Sequence, residues 1–220
     1  MRLNKFLAHT TGMSRRQADV MIEHGRVSIN GRTADMGAPV KDDDTVMLDG
    51  RVVGKPSSYT YILLHKPVDY VCSRRRQGVT PTIYELLPEE YHALKPVGRL
   101  DKDSSGLLLL SDDGDFAHRM THPGFAKTKV YEVNLDKALA PLHQQMISDF
   151  GVQLEDGTST FLVERHEDGY LVTMQEGRNR QIRRTFAALG YTVTKLHRVS
   201  FGNYSLGDIK TGEHKLVDMR

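Results

Sequence analysis

The break at Gly54-Lys55-Pro56-Ser57-Ser58 restricts the fold of this chain more than any other feature. Glycine, proline and serine in succession suit neither helix nor strand, so the stretch reads as a linker between two patterned segments. It divides 220 residues into expected domains at 1–54 and 59–220, with ample chain for a packed core.

In the shorter module, Leu3, Phe6 and Leu7 recur at i, i+3 and i+4 and predict a short amphipathic helix ending near Gly12. Ser14 with Gln17 three residues later is a capping box. It opens a second helix with the apolar stripe Ala18, Met21 and Ile22, and Gly25 lies just past its end. Asn30-Gly31 and Asp49-Gly50 each follow a short β-rich run and predict two tight hairpins. Arg15 and Arg16 fall in the first turn of the second helix, where the macrodipole disfavours cations. Either they face an anion, or they are an exposed pair of little consequence.

The longer module opens on Tyr59–Leu64, a β-rich run that leads into Lys66-Pro67. Gly106-Leu107-Leu108-Leu109-Leu110-Ser111, closed by Asp112-Asp113-Gly114, reads as a buried strand, although so short a run also suits a helix. Tyr131, Val133 and Leu135 alternate as a strand does, and so do Tyr170, Val172 and Met174. Leu139, Leu142, Met146 and Phe150 predict a helix closed by Gly151. Ile182, Phe186 and Leu189 predict another closed by Gly190. Many strands and few helices predict an α+β fold, its larger domain built on a mixed, mainly antiparallel sheet with flanking helices.

Composition narrows the classes of function. The chain is 39% apolar and 26% charged, as soluble globular proteins are. No apolar run nears the roughly 20 residues that span a bilayer, so no membrane partner is expected. Residues 1–9 lack the apolar core of a signal peptide. The single cysteine, Cys72, excludes an internal disulfide framework and a thiolate zinc cluster, and reads as a small buried residue more than a nucleophile. A cytoplasmic, cofactor-free monomer is the expectation. There is no Gly-rich phosphate loop, G-x-S-x-G or metal signature. His118 and His122 are four apart, but no third metal ligand accompanies them.

The net charge of +2 conceals an uneven distribution. Residues 136–170 hold two Lys/Arg against seven acids, whereas residues 177–207 hold Arg178, Arg180, Arg183, Arg184, Lys195 and Arg198 with no acid among them. Clustered cations are the footprint of a polyanionic partner, and a merely solvated face is disfavoured by the lack of acids for local pairing.

Two segments concentrate groups able to do chemistry. Gly98-Arg99-Leu100-Asp101-Lys102-Asp103-Ser104 places two carboxylates before the leucine run, and an ionised Asp can serve as base or nucleophile. As pure pattern it could also be an ordinary polar turn. In Glu176-Gly177-Arg178-Asn179-Arg180-Gln181-Ile182-Arg183-Arg184, a helix starting near Arg180 puts Arg180, Arg183 and Arg184 on one face. Guanidinium forks there suit phosphates or carboxylates.

The order Arg2-Leu3-Asn4-Lys5-Phe6-Leu7, Ser14-Arg15-Arg16-Gln17-Ala18, Ile22-Glu23-His24-Gly25-Arg26-Val27 and Ile29-Asn30-Gly31 resembles an S4 RNA-binding domain. Gly98-Arg99-Leu100-Asp101, Lys129-Val130-Tyr131 and Glu176-Gly177-Arg178 through Arg184 resemble, in the same order, the RsuA family of pseudouridine synthases. That resemblance implies a site-specific isomerisation of uridine to pseudouridine in ribosomal RNA. It implies Asp101 as the catalytic residue and Tyr131 as the ring that stacks on uracil. Arg183 would pair with Asp101, Arg99 would help hold the substrate, and Arg15, Arg16, Arg178, Arg180 and Arg184 would bind RNA. The chain departs from the family pattern at Asp69, where Gly is usual, and at His65, where Asn is common. The loop Asn179–Arg183 is closer to members acting on the large subunit. A different class of function, an RNA-binding assembly factor without catalysis, fits the N-terminal module equally well.

Overall fold

Side chains close to one another in sequence set the first elements. The Ser14 hydroxyl accepts from the Gln17 N–H at 3.2 Å, while Gln17 Oε1 accepts from the Ser14 N–H at 2.8 Å. In this computed structural model, which describes residues 1–54 and 58–218, the capping box opens helix α2 (Arg15–Glu23). Lys55, Pro56 and Ser57 of the expected linker lie outside the described residues. Helix α1 (Leu3–Thr11) ends at Gly12 in the left-handed region. Asn30-Gly31 and Asp49-Gly50 all take positive φ, as two-residue hairpin turns of the primed type require. They join β1 (Val27–Ile29) to β2 (Arg32–Thr33) and β3 (Val46–Leu48) to β4 (Arg51–Val52), in the sheet order β2-β1-β3-β4. Leu3, Phe6, Leu7, Ala18, Ile22, Val27 and Val46 bury together between helices and sheet. Of the stripe expected on α2, Met21 is only partly buried.

The described chain forms two compact units, Met1–Thr60 with Asp112–Gly114, and Tyr61–Ser111 with Asp115–Arg220. The second carries β5 (Tyr61–Lys66), β6 (Lys95–Val97), β7 (Ser105–Ser111), α3 (Gly114–Thr121), β8 (Lys129–Leu135), α4 (Pro141–Gln145), β9 (Val152–Leu154), β10 (Gly157–Ser159), β11 (Leu162–His166), β12 (Gly169–Met174), α5 (Gln181–Ala188), β13 (Val193–Phe201), β14 (Tyr204–Ser205) and β15 (His214–Leu216). Its main sheet runs β11-β12-β8-β13-β7-β5-β15, with β6 beside β7 and β14 beside β13. Only β13–β7 is parallel; the other pairings in that sheet are antiparallel. The α+β architecture and the mixed, mainly antiparallel sheet agree with the sequence expectation.

The leucine run is strand β7 and is buried on both faces. Leu108 and Leu110 join the core that takes Tyr131, Val133, Val172, Ile182 and Phe186, while Leu107 and Leu109 join Val97, Phe116, Met120 and Phe201 on the other side. Covering both faces removes any alternation of apolar and polar residues from the sequence. The parallel junction is very close. Gly106 has φ 105°, and a Cβ on it would stand 2.2 Å from the Arg198 carbonyl oxygen. The helix expected to end at Gly151 forms as α4, five residues continued by a π-helical turn over Met146–Phe150, but the stripe read for it is corrected. Leu142 and Phe150 are exposed, and Ile147 is the buried residue. No helix among the described residues is long and apolar enough to cross a membrane.

Candidate active site

The Gly98–Ser104 segment connects β6 to β7 and carries Asp101 at the start of a turn, closed by the Ser104 N–H donating to the Asp101 carbonyl at 3.1 Å. The end of β5 and the segment after it grip it at four points. Lys66, fully buried, donates from Nζ to the carbonyls of Asp101 (3.1 Å) and Ser104 (2.8 Å), and to that of Pro67 (2.9 Å). Asp69 donates its N–H to the Lys102 carbonyl at 2.7 Å. Cys72 Sγ donates to the Leu100 carbonyl at 3.3 Å, and burial pushes its thiol up, consistent with a structural role. Asp69 has φ 68°, a left-handed conformation that Gly adopts freely and Asp tolerates. Burial pushes the Lys66 ammonium down from 10.5 to about 8, against the attraction of nearby Asp103, Asp101 and Asp69. The outcome is a fixed backbone under a carboxylate that remains 37% exposed.

The facing wall comes from β8, β13 and the loop before α5. Tyr131 is 8% exposed and pairs across the ladder with Val172 on one side and Arg198 on the other. Lys129 Nζ donates to the carbonyls of Lys127, Gln175 and Glu176, which ties the start of β8 to that loop. Buried Gln181 donates to Ser159 Oγ and Glu176 Oε2 and accepts the Arg178 N–H. Between the walls lies a cleft of about 550 Å³ lined by Arg99, Asp101, Tyr131, Leu196 and Arg198 among others. Arg99 is exposed there and holds no hydrogen bond or ion pair to another described residue.

The ion pairs differ from expectation. Arg180 approaches Asp101, with Nη1 3.6 Å from Oδ2, and also grips Asp103 through bonds of 3.0 and 2.9 Å. Arg183 binds the other side of the same turn: Nη2 donates to the Asp103 carbonyl at 2.8 Å and Nε lies 3.3 Å from Oδ2 of Asp103. The expected Arg183–Asp101 pair is therefore corrected: Arg183 meets Asp103, and Arg180 is the arginine beside Asp101. The hydrogen bond from Arg180, with the charges of both arginines, holds the Asp103 carboxyl below its usual range. Arg180 itself has φ 47°, a conformation costly for a residue with a side chain. It occupies the residue before α5 and aims its guanidinium back at the 101–103 turn.

The basic cluster at 178–198 needs a second correction. No acid lies within residues 177–207, yet acids from outside that span meet most of the cluster. Asp156 takes a bidentate pair from Arg184 and a third contact from Arg178, which also reaches Glu176. Lys195 pairs with Glu132, and Arg198 is 2% exposed with its Nε on the Leu107 carbonyl. The acidic stretch at 136–170 thus supplies Asp156 directly to the loop. Arg178 and Arg184 are bound up in holding that loop, and the reading of the cluster as an open cationic face fails. Arg15 and Arg16, in the other unit, are exposed as expected, with one 3.5 Å contact from Arg15 to Asn4. Lys66 and Lys129 were not singled out in the sequence, although Lys66-Pro67 and the lysine two before Tyr131 both marked the positions.

Comparison with known proteins agrees with this arrangement. Residues 60–188 match the family described as RNA pseudouridylate synthase, and residues 1–46 match the S4 domain. The chain is 37% identical to a ribosomal small subunit pseudouridine synthase A of Vibrio parahaemolyticus, over 99% of this chain and 96% of the relative. It is 31% identical to a ribosomal large subunit pseudouridine synthase B of Bacillus subtilis, over 96% and 90%. A crystal structure of a pseudouridylate synthase superimposes with a TM-score of 0.71 at 31% identity, covering 99% of this chain and 96% of that one.

Proposed function

Because the chain belongs to the RNA pseudouridylate synthase family and is an isomerase of RNA uridine, we propose that it converts a uridine of ribosomal RNA to pseudouridine with Asp101 as the catalytic residue. The observation that carries this reading is the Asp101 carboxylate, held by its backbone, half open, at a cleft it shares with Tyr131 and Arg99. In the reaction the N1–C1′ bond breaks, uracil turns within the cleft, and C5 bonds to C1′. The C5 proton leaves and N1 gains one. Neither redox change nor group donor is required, so ionisable side chains suffice.

A carboxylate beside C1′ can trap or stabilise the sugar cation, attack the base, or remove a sugar proton. Arg180, with Nη1 3.6 Å from Oδ2, lies close enough to orient that carboxylate. A uridine in folded RNA must leave its stack first, at a cost of a few kcal/mol. Stacking against Tyr131 returns about 1–3 kcal/mol. Arg99 in the cleft and the exposed Arg15 and Arg16 contact phosphates, and Arg178, Arg180, Arg183 and Arg184 act mainly by shaping the loop. The reading includes action on rRNA in the cytoplasm by a monomer. Relatives named for both ribosomal subunits match at similar identity, so the proposal extends to rRNA and not to one subunit. The loop Asn179–Arg183 alone leans to the large one.

Mapping pseudouridines in both rRNAs from cells with and without this protein tests the proposal. One site that disappears supports it, and unchanged maps oppose it. An assembly factor without catalysis would leave the maps unchanged while altering subunit profiles.

A further inference from the structure

Three aromatic rings stand together in solvent where α3 ends. His118 and His122 lie one turn apart, with ring centroids separated by 4.7 Å and planes tilted by 35°. Phe125 presents itself edge-on to both, at 5.8 and 6.2 Å. Their place is fixed by a tight turn over Pro123–Phe125. In it the Gly124 N–H donates to His122 Nδ1 at 3.1 Å and the Phe125 N–H to the His122 carbonyl at 3.1 Å. The first of these bonds makes Nδ1 an acceptor and fixes the ring's orientation. Core packing does not explain the cluster. Phe116 and Met120 already supply the buried face of α3, whereas Phe125 is left 47% exposed and both histidines are exposed.

The position of the cluster gives it a use. His122 and Pro123 line the same cleft as Asp101 and Tyr131, and Lys127 follows them along the rim. A uridine withdrawn from its stack leaves the next base with an uncovered face, and aromatic rings accept such a face whatever the base. We propose that His118, His122 and Phe125 form a stacking platform for the unpaired nucleotide adjacent to the target uridine. This rests on the pseudouridine synthase reading and extends it to the neighbouring base. Recognition is by ring contact and cationic surroundings, so it tolerates any base but requires one.

The test uses the full chain and an rRNA transcript that the wild type modifies, with 2-aminopurine placed next to the target uridine. Failure of the wild type to modify any rRNA defeats the underlying reading. The stacking proposal is then decided by the fluorescence of a single-stranded, uridine-containing oligonucleotide carrying the same probe. Phe125→Ala combined with His118→Ala is expected to raise KM about 5–150-fold, the range stacking of one base allows, and to change kcat less than KM. It should also abolish the quenching of 2-aminopurine seen with wild type. Phe125→Tyr keeps the ring and should retain both. An abasic site in place of the probe should raise the wild-type KM and leave that of the double variant unchanged. A KM within twofold of wild type, or undiminished quenching by the double variant, overturns the proposal.

Discussion

Replacing Lys66 by Met removes the ammonium that holds the turn carrying Asp101 and keeps a side chain of similar length. The wild-type group serves three carbonyls, those of Pro67, Asp101 and Ser104, at 2.8–3.1 Å. Buried carbonyls stripped of their donor cost about 1–3 kcal/mol each. Against this, Lys66 is held near 8 and not 10.5, so keeping it charged at neutral pH costs on the order of 3 kcal/mol, which the variant recovers. The two effects partly cancel in global stability. They do not cancel at Asp101, whose backbone loses a direct anchor; a shift of about 1 Å at a reacting group can cost on the order of 100-fold in rate. Lys66→Met should therefore lower kcat about 10–100-fold with KM within about threefold, while the urea midpoint falls moderately and the unfolding slope stays constant. Steady-state tritium release from C5-labelled rRNA measures the first, and circular dichroism in urea the second. A folded Lys66→Met protein with kcat within twofold of wild type would refute the idea that this lysine positions Asp101.

The same lysine predicts opposite pH trends. Above about 8 the amine has too few N–H groups for its three carbonyls, so kcat should decline as pH rises through that value, and Lys66→Met should lose that decline. Between 8 and 10.5 the unfolded chain binds a proton the folded chain has shed, so unfolding free energy from Lys66 should rise with pH, as urea titrations at several pH values will read. Gly106→Ala should destabilise by several kcal/mol in the same titrations, because its Cβ meets Arg198 backbone at 2.2 Å and its φ is 105°; an unchanged midpoint would contradict the close junction. Arg180→Gly should be about 1 kcal/mol more stable than Arg180→Ala, since Gly accepts the left-handed backbone, and both should lose activity. Arg15→Ala with Arg16→Ala should weaken RNA binding and flatten the salt dependence of Kd in filter binding; an unchanged slope would remove these arginines from the RNA contact.

What could be read from the sequence was local. The capping box at Ser14 and Gln17 and the turns at Asn30-Gly31 and Asp49-Gly50 are decided by residues within three positions of one another, and they formed as expected. Asp101, Tyr131 and Arg99 were found through motifs, and the fold brings them to one cleft. What was not legible depends on distant partners. Lys66 is 35 positions from the carbonyl it anchors. Asp156 lies 28 from Arg184, and Asp103 lies 80 from Arg183, so counting acids inside residues 177–207 could not reveal the pairing. The helix before Gly151 was legible, but its stripe misled at Phe150, where a π-helical turn breaks the 3.6-residue period on which it was counted.

The claim on which the rest depends is that Asp101 carries out the isomerisation. Tritium release from C5-labelled rRNA, with wild type beside Asp101→Asn, tests it most directly. Asparagine preserves the size and the backbone anchors of the turn but removes the charge. The account predicts release by wild type and none above background by Asp101→Asn, with RNA binding retained. Equal release by both proteins would contradict it.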